Sequence, residues 1–144
     1  MITLHRRTIS AAVLTLALAG AIAGCSDDEG TTAPGVNPAV LGTWNATSFL
    51  VAGVDLIAQG VDVTLTLNSN GTYGFDVTND QGGALCDQGT ACSDPGTYTA
   101  TDTQIFLDAG TTDATTLSYS ISGTTMTVTG TVDGQALVIV FSKA

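Results

Sequence analysis

After Trp44, apolar side chains alternate with hydroxylated or polar ones, and a period of two predicts strands in place of helices. Val61, Val63, Leu65 and Leu67 share one face of a strand, and Tyr73, Phe75 and Val77 share one face of the next. Setting Leu67 opposite Tyr73 leaves Ser69, Asn70 and Gly71 as a hairpin loop, with glycine where the left-handed position falls. The same alignment can be made three more times. A turn at Asp102-Thr103 sets Ala100 opposite Ile105 and Tyr98 opposite Leu107. A turn at Ser122-Gly123 sets Tyr119 opposite Met126 and Leu117 opposite Val128. A turn at Asp133-Gly134 sets Val128 opposite Ile139 and Met126 opposite Phe141. A slip of one residue would turn every side chain to the other face, so hairpins that all keep apolar against apolar specify which side faces the core. Thr64, Thr66, Ser118, Ser120, Thr125, Thr127 and Thr129 fall on the outer face. Trp44, Ala46, Ser48 and Leu50 on a first strand bring the count to eight. The fold class is therefore all-β, an eight-stranded antiparallel up-and-down barrel, which leaves no exposed edges; a two-sheet β-sandwich is the alternative.

Two connections are longer than hairpins. Gly53 to Gly60 carries Val54, Leu56 and Ile57, apolar residues that an exposed loop would not need, and it is expected to fold over one mouth of the barrel. Thr78 to Pro95 carries Cys86 and Cys92.

The start of the chain has a different character. Residues 1–24 read as an export signal, with Arg6 and Arg7 ahead of an apolar run from Ile9 to Ala23 that is shorter than a spanning helix requires. Ile22-Ala23-Gly24-Cys25 resembles the bacterial lipobox. That resemblance implies cleavage before Cys25, a diacylglycerol on its thiol and an acyl group such as palmitate on its new amine, enough chains for stable anchoring. By resemblance to lipoprotein sorting in enteric bacteria, Ser26 next to that Cys favours the outer membrane over the inner one. The export route stays open, because Arg6-Arg7 also resembles a twin-arginine signal. Residues 25–38 hold the lipidated Cys and a tether rich in Asp, Thr, Gly and Pro, too poor in apolar groups to fold, and residues 39–144 form the domain. With Cys25 acylated, Cys86 and Cys92 remain as a pair, and an oxidising compartment predicts a disulfide between them. Closing so short a loop stabilises by about 2 kcal/mol.

Charge narrows the function. His5, Arg6 and Arg7 are the only His and Arg residues, so removal of the signal leaves Lys143 alone against 13 carboxylates. Such a chain lacks the clustered cations that bind nucleic acid or grip phosphates. Without His there is no ordinary base to activate a Ser or Cys, so no catalytic residue is assigned and the protein reads as a non-enzyme. Asp76, Asp80, Asp87 and Asp94 around the Cys pair read as charged loop tips, not as a calcium site. No metal or cofactor is assigned.

Leu41-Gly42-Thr43-Trp44 ahead of the meander, with Asn68-Ser69-Asn70-Gly71-Thr72-Tyr73 and Gly96-Thr97-Tyr98 downstream, resembles the small lipocalin-like domains of bacterial lipoproteins over residues 38–143. The resemblance implies that Gly42 opens the first strand and that Trp44 packs across the closed end. An Arg often covers that Trp in the family; here Lys143 is the available cation. The expectation is a monomeric, lipid-anchored barrel of the bacterial cell envelope that takes a small apolar ligand. Leu65, Phe75, Tyr98, Tyr119, Met126 and Phe141 are the candidate lining residues, and the same side chains could instead fill the interior. The second reading is a ligand-free envelope protein, structural or acting through its loops as a protease-inhibitor-like barrel.

Overall fold

The computed structural model describes residues 33–144 apart from 88 and 133. The expected signal segment, the Cys25 acylation site and the first part of the tether lie outside the described residues. The strands are β1 (Gly42–Val51), β2 (Val54–Asp55), β3 (Asp62–Leu67), β4 (Thr72–Thr78), β5 (Cys92–Ala100), β6 (Gln104–Leu107), β7 (Thr115–Ser122), β8 (Thr125–Val132) and β9 (Gln135–Lys143). β2 attaches only to the end of β1. The other eight run in sequence order, every neighbouring pair antiparallel, and β1 also pairs with β9. The sheet is thus a closed eight-stranded up-and-down barrel.

Three of the four expected registers are present: Leu67 faces Tyr73, Ala100 faces Ile105, and Met126 faces Phe141. The fourth differs by two residues. Tyr119 pairs with Val128, Ile121 with Met126 and Ser122 with Thr125, so the turn is Gly123-Thr124 and not Ser122-Gly123. Gly123 has φ +60°, and a two-residue hairpin with glycine first takes the turn type whose twist suits the strands. A shift of two preserves the faces, and Tyr119 and Met126 both remain inside.

β1 breaks its alternation once. Ala46 pairs with Phe141 but Ser48 pairs with Val140, which leaves Thr47 as a bulge. Beyond it Phe49 is buried, where an unbroken period would have turned Ser48 and Leu50 inward. The bulge also lies where β1 loses β3: their ladder ends at Asn45 and Thr64. Asp55 fills that gap in the ladder. Its carboxylate accepts the Phe49 N–H at 3.0 Å, the Ile57 N–H at 3.1 Å and the Ser48 hydroxyl at 2.8 Å. The backbone bond from Phe49, followed by the Ser48 hydroxyl, holds the Asp55 carboxyl below its ordinary pKa.

Two boundaries also move. β5 begins at Cys92, before the expected end of the long loop at Pro95. Pro95 fits because strand N–H groups alternate in direction: the Tyr98 N–H goes to Gly71 on the β4 side, while the Thr97 N–H goes to Asp108 on the other. The Pro95 nitrogen points the same way as that of Thr97, and β5 pairs with β6 only from Tyr98 on, so no ladder bond is lost. The tether, expected to be unstructured through residue 38, is ordered from Ala33. The Ala33 N–H donates to Ser69 at 2.7 Å, the Gly35 carbonyl accepts from Ala100 at 2.7 Å, and Val36 is buried.

Candidate functional site

The interior has two ends of different construction. At the tether end, a short 3-10 helix (Pro38–Val40) turns the chain under the barrel, and Asn37 caps it by accepting the Ala39 N–H at 2.9 Å. The Asn37 side-chain amide donates onward to the Thr101 carbonyl, the Asp102 carboxylate and the Tyr119 hydroxyl, each at 3.1 Å. Val40 and Trp44 are wholly enclosed, and the Trp44 indole N–H donates to the Val40 carbonyl at 2.8 Å. The Lys143 Nζ lies 5.1 Å from the Trp44 ring, its stem crossing over Gly42. Lys143 therefore occupies the place expected for a cation above this Trp.

At the opposite, loop end the covers are local. The Gly53–Gly60 connection buries Leu56 and half-buries Ile57, as its apolar content predicted, but Val54 points to solvent at 49% exposure. The loop between β4 and β5 buries Leu85 and Cys86 and is clipped by the Cys86–Cys92 disulfide. Asp80, expected at a charged loop tip, is instead 1% exposed and organises this loop. Its carboxylate accepts the N–H groups of Ala84 at 2.9 Å, Leu85 at 2.8 Å and Cys86 at 2.8 Å. Desolvation pushes its pKa up, but the amides of Cys86, Leu85 and Ala84 together outweigh this, and the carboxyl sits below its ordinary value.

Between the two ends, all six candidate lining residues share the inner face, though not on equal terms. Met126 and Phe141 pair directly and are 0% and 1% exposed. Tyr98 and Tyr119 are committed to the tether end: their hydroxyls donate to Asn68 at 3.0 Å and Thr101 at 2.6 Å. Burial drives the Tyr98 pKa up to about 12, and burial followed by nearby Asp102 raises that of Tyr119. Leu65 and Phe75 pair across β3 and β4, and Phe75 is only half-buried, its ring edge-on to Phe49 at 6.3 Å.

The sequence reading missed the polar part of this wall. Asp94 pairs with Phe75 and so projects to the same inner side, half-buried. Burial, then the charges of Asp108 and Asp113, raise its pKa. Next to it Gly96 faces Tyr73, whose hydroxyl donates to Asp108 at 2.8 Å. A Cβ at Gly96 would lie 2.5 Å from an Asp108 oxygen and 2.6 Å from the Tyr73 ring, so only glycine lets this pair form. Burial and the Asp108 bond raise the Tyr73 pKa and keep it a phenol. The spacing Asp94, Gly96, Tyr98, Ala100 carried the signal, had the strand been extended back through Pro95. Among the described residues, no group of three or more His, Cys, Asp or Glu is placed to hold a metal ion.

A family sequence model described as "Lipocalin-like domain" matches residues 40–128, from the enclosed Val40 through Trp44 to the middle of β8. The chain belongs to the lipocalin-like domain family. In this lipocalin-like barrel, Gly42 opens β1 and Trp44 is wholly enclosed. Among solved structures, the chain is similar to fatty-acid-binding protein 1 of Echinococcus granulosus at 19% identity, with 74% of this chain and 98% of that chain covered and a TM-score of 0.41. No curated protein matches it.

Proposed function

We propose that this chain is an envelope lipoprotein, anchored through acylated Cys25, whose lipocalin-like barrel binds a small apolar molecule beneath the covers of the loop end. The observation that carries this reading is one incompletely covered stretch of an otherwise enclosed inner face. Trp44, Met126, Phe141 and Leu67 are exposed by 1% or less, whereas on the wall of β4 and β5 the paired Phe75 and Asp94 face the inner side only half-buried. Around Trp44 the interior is a packed floor; the wall at Phe75 presents aromatic surface beside the carboxylate of Asp94. Apolar walls with a few placed polar groups are the usual makeup of small-molecule sites. Asp94 and the Tyr73 hydroxyl would orient the ligand.

The test is binding of the neutral fluorophore N-phenylnaphthylamine to protein secreted from Ser26 onward, which keeps the docked segment from Ala33. Saturable binding that Phe75→Glu weakens by about tenfold, while Val54→Glu leaves it unchanged, supports the reading; a tenfold loss corresponds to about 1.4 kcal/mol. Absence of saturable binding, with no small molecule retained in native mass spectrometry, overturns it and favours a ligand-free interaction role.

A further inference from the structure

The place where the tether meets the barrel fixes which end faces the membrane. Ala33, Gly35, Val36 and Asn37 are all docked on the end that contains Trp44, against Ser69, Ala100 and Thr101. We propose that this end lies against the bilayer and that the loop end faces away from it, so that an apolar ligand reaches the barrel from the aqueous side and not from the anchoring leaflet. This rests on the acylation of Cys25 proposed above.

Geometry supplies the first argument. Seven residues, 26–32, separate Cys25 from Ala33. The eight Cα–Cα steps from Cys25 to Ala33, fully extended, would reach about 28 Å. Strands of eight to ten residues tilted in a small barrel span roughly 25 Å from end to end. Turning the loop end onto the membrane would lift Ala33 by that height and stretch the tether nearly to its limit, with a large loss of conformational freedom. Resting on the tether end costs no such extension.

Charge supplies the second. The closing turns at the tether end hold one side-chain carboxylate, Asp102, and the cation Lys143 ends β9 at the same end. The segments of the loop end hold Asp55, Asp62, Asp80, Asp87, Asp108 and Asp113. An anionic headgroup layer repels the second set far more strongly than the first. Asp27, Asp28 and Glu29 follow the anchor in either orientation and so do not bear on which end is nearer.

The experiment uses full-length acylated protein in vesicles of phosphatidylethanolamine and phosphatidylglycerol that carry an acceptor dye on a headgroup. A donor dye is placed at Thr103→Cys in the tether-end turn or at Val54→Cys in the loop-end cover, both exposed positions. Energy transfer at least twofold more efficient from position 103 than from position 54 is expected. Equal transfer, or stronger transfer from position 54, overturns the orientation while leaving the anchor intact. Flotation of Cys25→Ala with the same vesicles reports the anchor separately: a variant that still floats overturns the acylation and, with it, the premise of the orientation.

Discussion

The two ends of the barrel are closed by different kinds of contact. At the tether end, Val36, Val40, Trp44, Met126 and Phe141 come together from both ends of the described chain, and Asn37 reaches Thr101, Asp102 and Tyr119 across more than sixty positions of sequence. At the loop end, Asp80 binds amides four to six residues away, and the disulfide spans a sequence separation of 6. Long-range packing can be lost only by opening the whole barrel, whereas local clips can loosen while the barrel stands. The floor thus carries global stability, and the covers can loosen without it.

This contrast is open to direct attack. Trp44→Ala should have the largest effect, a loss of about 3–5 kcal/mol in urea unfolding, because it empties the most enclosed site and frees the Val40 carbonyl. A loss near 1 kcal/mol would mean that the floor is not the keystone. Replacing Cys86 and Cys92 together with Ser should cost about 2 kcal/mol. Amide exchange at Ala84 and Leu85 should then accelerate while Ala100 in the floor keeps its protection relative to the new global stability. Equal acceleration at both ends would erase the distinction.

Asp80→Asn should cost roughly 1–2 kcal/mol, since one carboxylate now serves three buried amides. The folded pKa of Asp80 lies below its ordinary 3.8, so its contribution is present above that value and is lost as pH falls through the folded value. The gap between wild type and Asp80→Asn should accordingly narrow in acid; a gap independent of pH would show that the charge is irrelevant. Asp94→Asn should have the smallest effect and the opposite sign. The raised pKa of Asp94 means that its favourable contribution is full below 3.8 and is lost as pH rises through the folded value. The variant should be slightly more stable at neutral pH, by no more than about 0.5 kcal/mol after solvent screening, and indistinguishable from wild type in strong acid.

Alternation made most of the barrel legible from the chain alone. Val61 to Leu67, Tyr73 to Val77 and the β8–β9 hairpin carry side-chain faces that no one-residue slip would satisfy. Thr47 was not legible, because a bulge changes the period without changing the composition, and threonine suits a strand on either side of it. The Gly123 turn was ambiguous because two alignments offset by two residues present the same faces. Pro95 hid Asp94: a proline normally argues against a strand, and only the neighbouring seam, where β5 has no partner, makes it acceptable. Asp80 looked like a surface charge until the loop folded around it. Residues 33–37 have the composition of a linker, and their order comes from a floor that exists only once Tyr98, Tyr119 and Trp44 have met.

Closure of the wall depends on β1 and β9, residues 42–51 and 135–143, which are separated by nearly the whole domain. A hairpin can form as soon as its own two strands are available, but this seam cannot. The eight-strand ring therefore cannot seal around any occupant until its final ladder has been synthesised, however many of its hairpins have formed before.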